Sequence, residues 1–233
     1  MGLLALAALI WWPRSSPAPQ PPPTEPAAAA PAPLKGWVDV RVWKGPGKPA
    51  GPGRRLHEKG VLPLREHDWV RIDAELNRPA FLYVIWLDSA GKATPIYPWR
   101  NENWRDRPDD ERAVKRLALP GEDLDAAPLG GSPSGVESIL LLAREERLPP
   151  AEDGALAAVF RGLPRQERLP DLRAAAWFER GELVRDEEDR GAMRIGQAEA
   201  VDDPVLRTQR LLRGQLGQMF SYTRAVCYGF QGE

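Results

Sequence analysis

The chain has a single cysteine and only two histidines in 233 residues, and its 32 basic residues nearly cancel its 33 acidic ones. One cysteine rules out an intrachain disulfide and leaves the redox compartment open. A zinc site of the His and Cys kind would need Cys227, His57 and His67 to converge almost completely, so no metal is expected. A formal net charge of −1 gives no electrostatic case for nucleic acid or anionic lipid. The Gly-rich phosphate cradles are missing, as are the kinase catalytic loop and metal-binding triplets, so neither nucleotide nor cofactor is expected. Gly131-Ser132-Pro133-Ser134-Gly135 looks like a serine nucleophile elbow and fails as one. Ser134 lacks Gly two residues before it, Ser132 lacks Gly two residues after it, and the segment that follows reads as a strand, so a flexible turn is expected. Cys227 lies in an apolar alternating segment and reads as a buried, inert thiol.

Long apolar runs are also scarce. Gly2–Trp12 is apolar, but as a helix it rises roughly 16 Å against about 30 Å of bilayer hydrocarbon. Two readings stay open. No basic residue precedes the run, which argues against a simple signal peptide. The Trp11-Trp12 pair followed by Pro13 and Arg14 suits the interfacial end of a membrane helix whose first half would precede this chain. Pro13–Pro33 then carries nine prolines and reads as a stiff, extended spacer. The expected organisation is an anchor or signal segment over 1–12, a Pro-rich spacer over 13–34 and a β-rich globular domain over 35–233.

Within that domain the clearest pattern begins at Trp69. Val70, Ile72, Ala74 and Leu76 alternate with Trp69, Arg71, Asp73 and Glu75, which predicts a strand with one buried face. Asn77-Arg78-Pro79 is expected to break it, because Pro cannot donate to a ladder. Ala80–Leu87 is apolar throughout and predicts a central strand covered on both faces. Asp88–Lys92 supplies a turn, with Asp88 as turn former, and Thr94–Tyr97 returns as a short edge strand. Further strands are predicted over Gly36–Lys44, Val114–Leu119, Val136–Ala143 and Tyr222–Phe230. Ala151–Arg161 predicts a short helix, and Leu172–Val184 is ambiguous between helix and strand. Asp203-Pro204 opens an amphipathic helix through Val205, Leu212, Leu216 and Met219, expected to cover the outer face of Ala80–Leu87. The fold class is therefore α+β: a mainly antiparallel β-sheet or sandwich core with two or three packed helices.

The stretch that reads ELNRPAFLYVIWLD, then SAGK, then PIYP resembles a bacterial domain family of unknown function, family 4384. The resemblance is more specific over Asn77–Pro98 and looser over Gly36–Glu146. It implies a domain that commonly follows a serine/threonine kinase or a caspase-like peptidase, often beyond a transmembrane helix and a Pro-rich spacer. The family has no assigned catalytic residue, so none is carried over. By this resemblance the chain is a non-catalytic extracytoplasmic sensory or interaction domain of a membrane-anchored bacterial signalling protein, with an unknown protein or glycan as ligand.

The candidate binding residues lie in the polar loop Trp99–Glu111. Trp99 and Trp104 would offer stacking faces beside the hydrogen-bonding groups of Arg100, Asn103 and Arg105. The rival is that both Trp pack onto the sheet. The acidic residues Asp106, Asp109, Asp110 and Glu111 lack the spacing of a calcium loop and read as a solvated acidic stretch. Exposed, coplanar Trp rings would favour a carbohydrate or cell-wall binding module. A cleft with a perturbed carboxylate would favour an unrecognised hydrolase, using loop carboxylates such as Asp106 and Asp109.

Overall fold

The computed structural model describes residues 32–121, 124–166, 176–179, 182–185 and 204–232. The anchor segment, nearly all of the spacer and the capping position Asp203 lie outside the described residues. Along the chain run β1 (Gly36–Trp43), β2 (Arg54–Arg55), β3 (Leu64–Arg65), β4 (Trp69–Leu87), β5 (Ala93–Tyr97), β6 (Val114–Leu119), β7 (Ala127–Pro128) and β8 (Gly135–Arg144). Then come α1 (Asp153–Val159), β9 (Ala176–Glu179), β10 (Glu182–Arg185), α2 (Pro204–Met219) and β11 (Tyr222–Gln231). The chain divides into Met1–Ala32 and one compact unit from Pro33 to Glu233.

β4 organises the sheet. It is one unbroken strand of 19 residues, so Asn77-Arg78-Pro79 does not end it. The reason lies in the ladders: β1 pairs with β4 only as far as Leu76, and β8 begins its pairing at Phe81. Pro79 falls in the gap, where no ladder asks for its missing N–H, and the β6 ladder slips between Glu75 and Ala80. The N-terminal half of β4 also carries β6 and β7, and the C-terminal half carries β5. Beyond β8 the order continues through β11, β9 and β10. Among the described residues these strands form one curled sheet, antiparallel except where β3 lies parallel to β11 at Phe230↔Leu64. The fold is thus α+β with a sheet core, and the sheet is mixed. Leu172–Val184, ambiguous in the sequence, contains β9 and most of β10.

Period two then sorts the side chains into two cores. The even-numbered residues of β4 from Val70 to Val84, Arg78 apart, share one cluster with Val38, Val40, Val42, Ile139, Leu141, Val226 and Tyr228. The phase is kept across Asn77–Pro79 because the two positions flanking that stretch, Leu76 and Ala80, are both even. The odd residues Tyr83, Ile85 and Leu87 face a second cluster with Leu140, Leu142 and Cys227, closed by Val205, Leu212 and Leu216 of α2. α2 therefore covers the outer face of Ala80–Leu87, as its spacing predicts. Each such buried aliphatic side chain contributes about 1.5–3 kcal/mol, which is what fixes the helix to the sheet. β8 is buried along nearly its whole length because it lies between the two cores. Among the described residues no helix is long and apolar enough to cross a membrane.

Candidate functional site

The loop Trp99–Glu111 is pinned to the body of the domain. Trp99 is 4% exposed, and its ring packs on Tyr83 at 5.7 Å and on Trp104 at 5.1 Å. Trp104 is half-buried and stacks on Phe160 at 5.7 Å. The structure brings the two Trp together as packing, with Trp99 inside the second core. The Trp99 indole N–H is buried with no hydrogen-bond partner. Arg100, Asn103 and Arg105 are exposed, and Asn103 is occupied locally: its Oδ1 accepts from Arg105 N–H at 3.1 Å, and its Nδ2 donates to Asp106 at 3.2 Å.

The acidic stretch that follows is only partly solvated. The Glu111 side chain is 1% exposed and accepts from Arg107 at 2.9 Å and from Arg147 at 3.3 Å. Arg107, itself 3% exposed, also donates to Asp153 at 3.0 Å and to the Leu148 carbonyl at 2.6 Å. Asp109 is open to solvent, 3.8 Å from Arg147. Arg107 and Arg147, 40 positions apart, meet over one carboxylate, and a charge buried that deeply must be paired. The Tyr83 hydroxyl accepts from Leu148 N–H at 2.9 Å, and burial, with Glu111 beside it, pushes this phenol upward. These contacts clamp the loop.

An open space lies elsewhere. A cleft of about 340 Å³ sits on the even-numbered face of β4. Val70 and Ile72 come from the N-terminal half of β4 and Trp86 from the C-terminal half. Thr94 and Ile96 come from β5, Leu119 from β6, and Leu129–Ser132 from the loop before β8. Asp88 and Glu102 line it as well, and so does Glu137 of β8, which is only 2% exposed. The turn that carries Asp88 follows from the sequence. Asp88 Oδ1 accepts from Lys92 N–H at 2.8 Å, and Gly91 takes φ +84, where a Cβ would meet the Leu163 carbonyl oxygen at 2.7 Å. Glu102 is held at the rim by a left-handed backbone, φ 53, following Asn101 at φ 52. Asn takes that region readily, whereas Glu102 is strained there by about 1–2 kcal/mol, a condition that collects at binding surfaces.

Glu137 is the unusual group. It stands directly across from Tyr228 in the β8–β11 ladder, and the Tyr228 hydroxyl donates to Glu137 Oε2 at 3.1 Å. Trp86 meets Tyr228 edge-on at 6.2 Å. Burial pushes the Glu137 carboxyl up to about 7, hydrogen bonds from Ser132, Tyr228 and Trp86 oppose the rise, and the neighbouring Asp88 charge adds to it. The group is therefore near half-ionised at neutral pH. The signal for it was present in the sequence as an acid inside an apolar strand, Val136–Ala143, and no site was assigned to it there.

Other reactive groups are accounted for by packing. Cys227 is buried, accepts from Ser138 Oγ at 3.1 Å and from the Gln209 amide, and burial pushes its thiol up to about 12. A gap of about 20 Å³ between α2 and the sheet, with five Leu among its lining residues, is a packing defect. Among the described residues no three His, Cys, Asp or Glu side chains are placed to hold a metal ion. No family model, no curated protein and no solved structure matches this chain.

Proposed function

We propose that the chain is the ligand-sensing part of a membrane-anchored bacterial signalling protein, and that its ligand enters the cleft over Glu137. The observation that carries the reading is a buried carboxyl poised near neutrality in an open cleft of useful size. Perturbed carboxyls in concave, partly apolar sites mark binding or catalytic positions. The extracytoplasmic placement, the Pro-rich tether and the association with a serine/threonine kinase rest on the resemblance of Asn77–Pro98 and on the composition of residues 1–34. The carbohydrate reading through Trp99 and Trp104 has less support, because a ring held between Tyr83 and Trp104 offers no free face.

A second reading has its own observation. Glu137 faces the cleft close enough to Asp88 to feel its charge, and two unlike carboxyls are the minimum equipment of a hydrolase. On that reading Glu137 would serve as general acid.

The deciding experiment is a thermal-shift and NMR screen of small molecules against the domain and its Thr94→Trp variant. Thr94 is half-buried on β5 and lines the cleft, so the indole fills it. Ligands that raise Tm and perturb the Trp86 indole signal should lose both effects in the variant. Ligands that bind the variant equally well would place the site elsewhere. Turnover of a glycoside or ester that vanishes in Glu137→Gln would replace the sensing reading with the hydrolase.

A further inference from the structure

We infer that the cleft takes a small organic cation, a primary ammonium carried on a compact apolar body. The inference rests on the reading of the cleft as a ligand site and adds the ligand's chemistry. Three carboxyl side chains line the space, Asp88, Glu102 and Glu137, and no Lys, Arg or His is among its lining residues. The wall between the acids is apolar, with the Trp86 indole beside Ile96 and Leu119. A carboxyl floor with one aromatic wall suits an ammonium, which hydrogen-bonds the one and lies against the π-face of the other. A volume of about 340 Å³ sits at the small end of ligand sites, roughly 300–1,000 Å³, so the body is about the size of one ring with a short arm. No trio of described acids is close enough to share a metal ion, which points to an organic cation over a divalent one. Anionic ligands are disfavoured by all three acids.

The groups that face Glu137 also set how binding responds to pH. Tyr228 reaches it from β11, Asp88 directly follows β4, Glu102 lines the same cleft, and Glu66 lies against Gly131 of the cleft wall. None is cationic, so these surroundings favour the protonated acid. An ammonium supplies the missing positive charge. Glu137 then releases its proton to solvent as the ammonium N–H hydrogen-bonds to the carboxylate, one proton leaving for each cation bound from the protonated form.

The test uses three probes of nearly equal shape, phenethylamine, phenethyl alcohol and phenylacetate, measured by calorimetry on the full chain. The amine should bind at least about tenfold tighter than the alcohol near pH 8, and phenylacetate should not bind. Amine affinity should fall about ten- to thirtyfold toward pH 5.5, as expected for a site that must lose a proton held at about 7. In two buffers of different ionisation heat, the apparent enthalpy should reveal protons released on binding. Glu137→Gln should remove the charge preference and the pH dependence. Should that variant fail to fold, Glu102→Gln, at the exposed rim, should weaken the amine about threefold and leave the alcohol unchanged. Alcohol or phenylacetate binding as tightly as the amine, and lost in Thr94→Trp, overturns the cation inference and leaves the ligand site standing. Amine binding untouched by Thr94→Trp overturns both. No amine binding at about 10 mM overturns the cation inference.

Discussion

Replacing Glu137 by Gln should alter the pH dependence of stability in one direction. Burial holds the Glu137 carboxyl at about 7, against 4.5 for a free glutamate. Between those values the folded chain keeps a proton that the unfolded chain has lost. The stability linked to this proton is therefore complete below about pH 4.5, declines as pH rises through about 7, and is gone above it. At ~1.4 kcal/mol for each tenfold change, the displacement is worth roughly 3 kcal/mol between acid and alkaline solution. Gln is neutral throughout and keeps the side-chain shape. Its amide accepts on one atom only, so hydrogen bonding to Tyr228, Ser132 and Trp86 is impaired by about 1 kcal/mol at every pH. That offset is constant, and the slope carries the test. Urea denaturation of both proteins from pH 4 to pH 9 should show the variant gaining roughly 3 kcal/mol on the parent across the range, or about 6–12 °C in Tm for a domain of this size. Asp153, raised first by burial, and Glu58, lowered by hydrogen bonds from Arg55 and Arg54, titrate in both proteins and cancel. Parallel profiles, or a gap that widens toward acid, would refute the placement of Glu137 as a buried acid without a cation.

Five further substitutions, at Val84, Glu75, Trp99 and Arg107, address the scaffold. Val84→Asp puts an unpaired charge at a position with no solvent exposure and should unfold the domain, since several kcal/mol is comparable with its whole stability; Glu75→Gln, on the outer face, should melt within a few degrees of the parent, and cooperative folding of Val84→Asp would contradict the two-sided burial of β4. Trp99→Ala should lose about 3–5 kcal/mol, whereas Trp99→Phe, which discards the unpartnered indole N–H, should lose much less; equal losses measured in urea would mean that the indole matters for more than filling space. Arg107→Ala strips Glu111 and Asp153 of their shared cation and should lose about 3–5 kcal/mol and free the Trp99–Glu111 loop to proteolysis; a change near zero would show that Arg147 alone neutralises the site.

Much of the fold was legible because period two survives in this sequence almost without error. The alternation at Trp69–Leu76 placed one face in a core, and the apolar run Ala80–Leu87 required cover on both sides. Pro204 opened α2 where a first-turn Pro belongs. Where the reading failed, the missing information was non-local. Pro79 looked like a terminator because its neighbours along the chain said so; the ladders show that no partner needed its N–H. The two-residue strands β2, β3 and β7 carry no pattern long enough to read, and β3 forms only by lying beside β11, more than 160 positions later. Glu111 read as solvated because nothing local announces Arg107 and Arg147 as joint partners.

The site was hidden for a related reason, with one clue left in view. The cleft is assembled from both halves of β4, from β5 and β6, from the rim at Glu102, from the loop before β8 and from β8 itself, and no spacing rule joins these pieces. Aromatic content drew attention to Trp99–Glu111, yet large aromatics are bought into cores as readily as they are shown to ligands. The clue was Glu137 itself. An acid within Val-Glu-Ser-Ile-Leu-Leu-Leu-Ala sits in a strand covered on both faces, where an ionised carboxyl must find a cation, give up its charge or serve a purpose. No cation reaches it from the described residues that shift its proton equilibrium, and Tyr228, Ser132 and Trp86 supply only neutral donors. The group therefore still holds part of its protons near neutrality, far above the usual carboxylate range. An acid in a doubly buried strand is a sharper pointer to function than a surplus of tryptophan, because burial of charge has a penalty that packing alone does not explain.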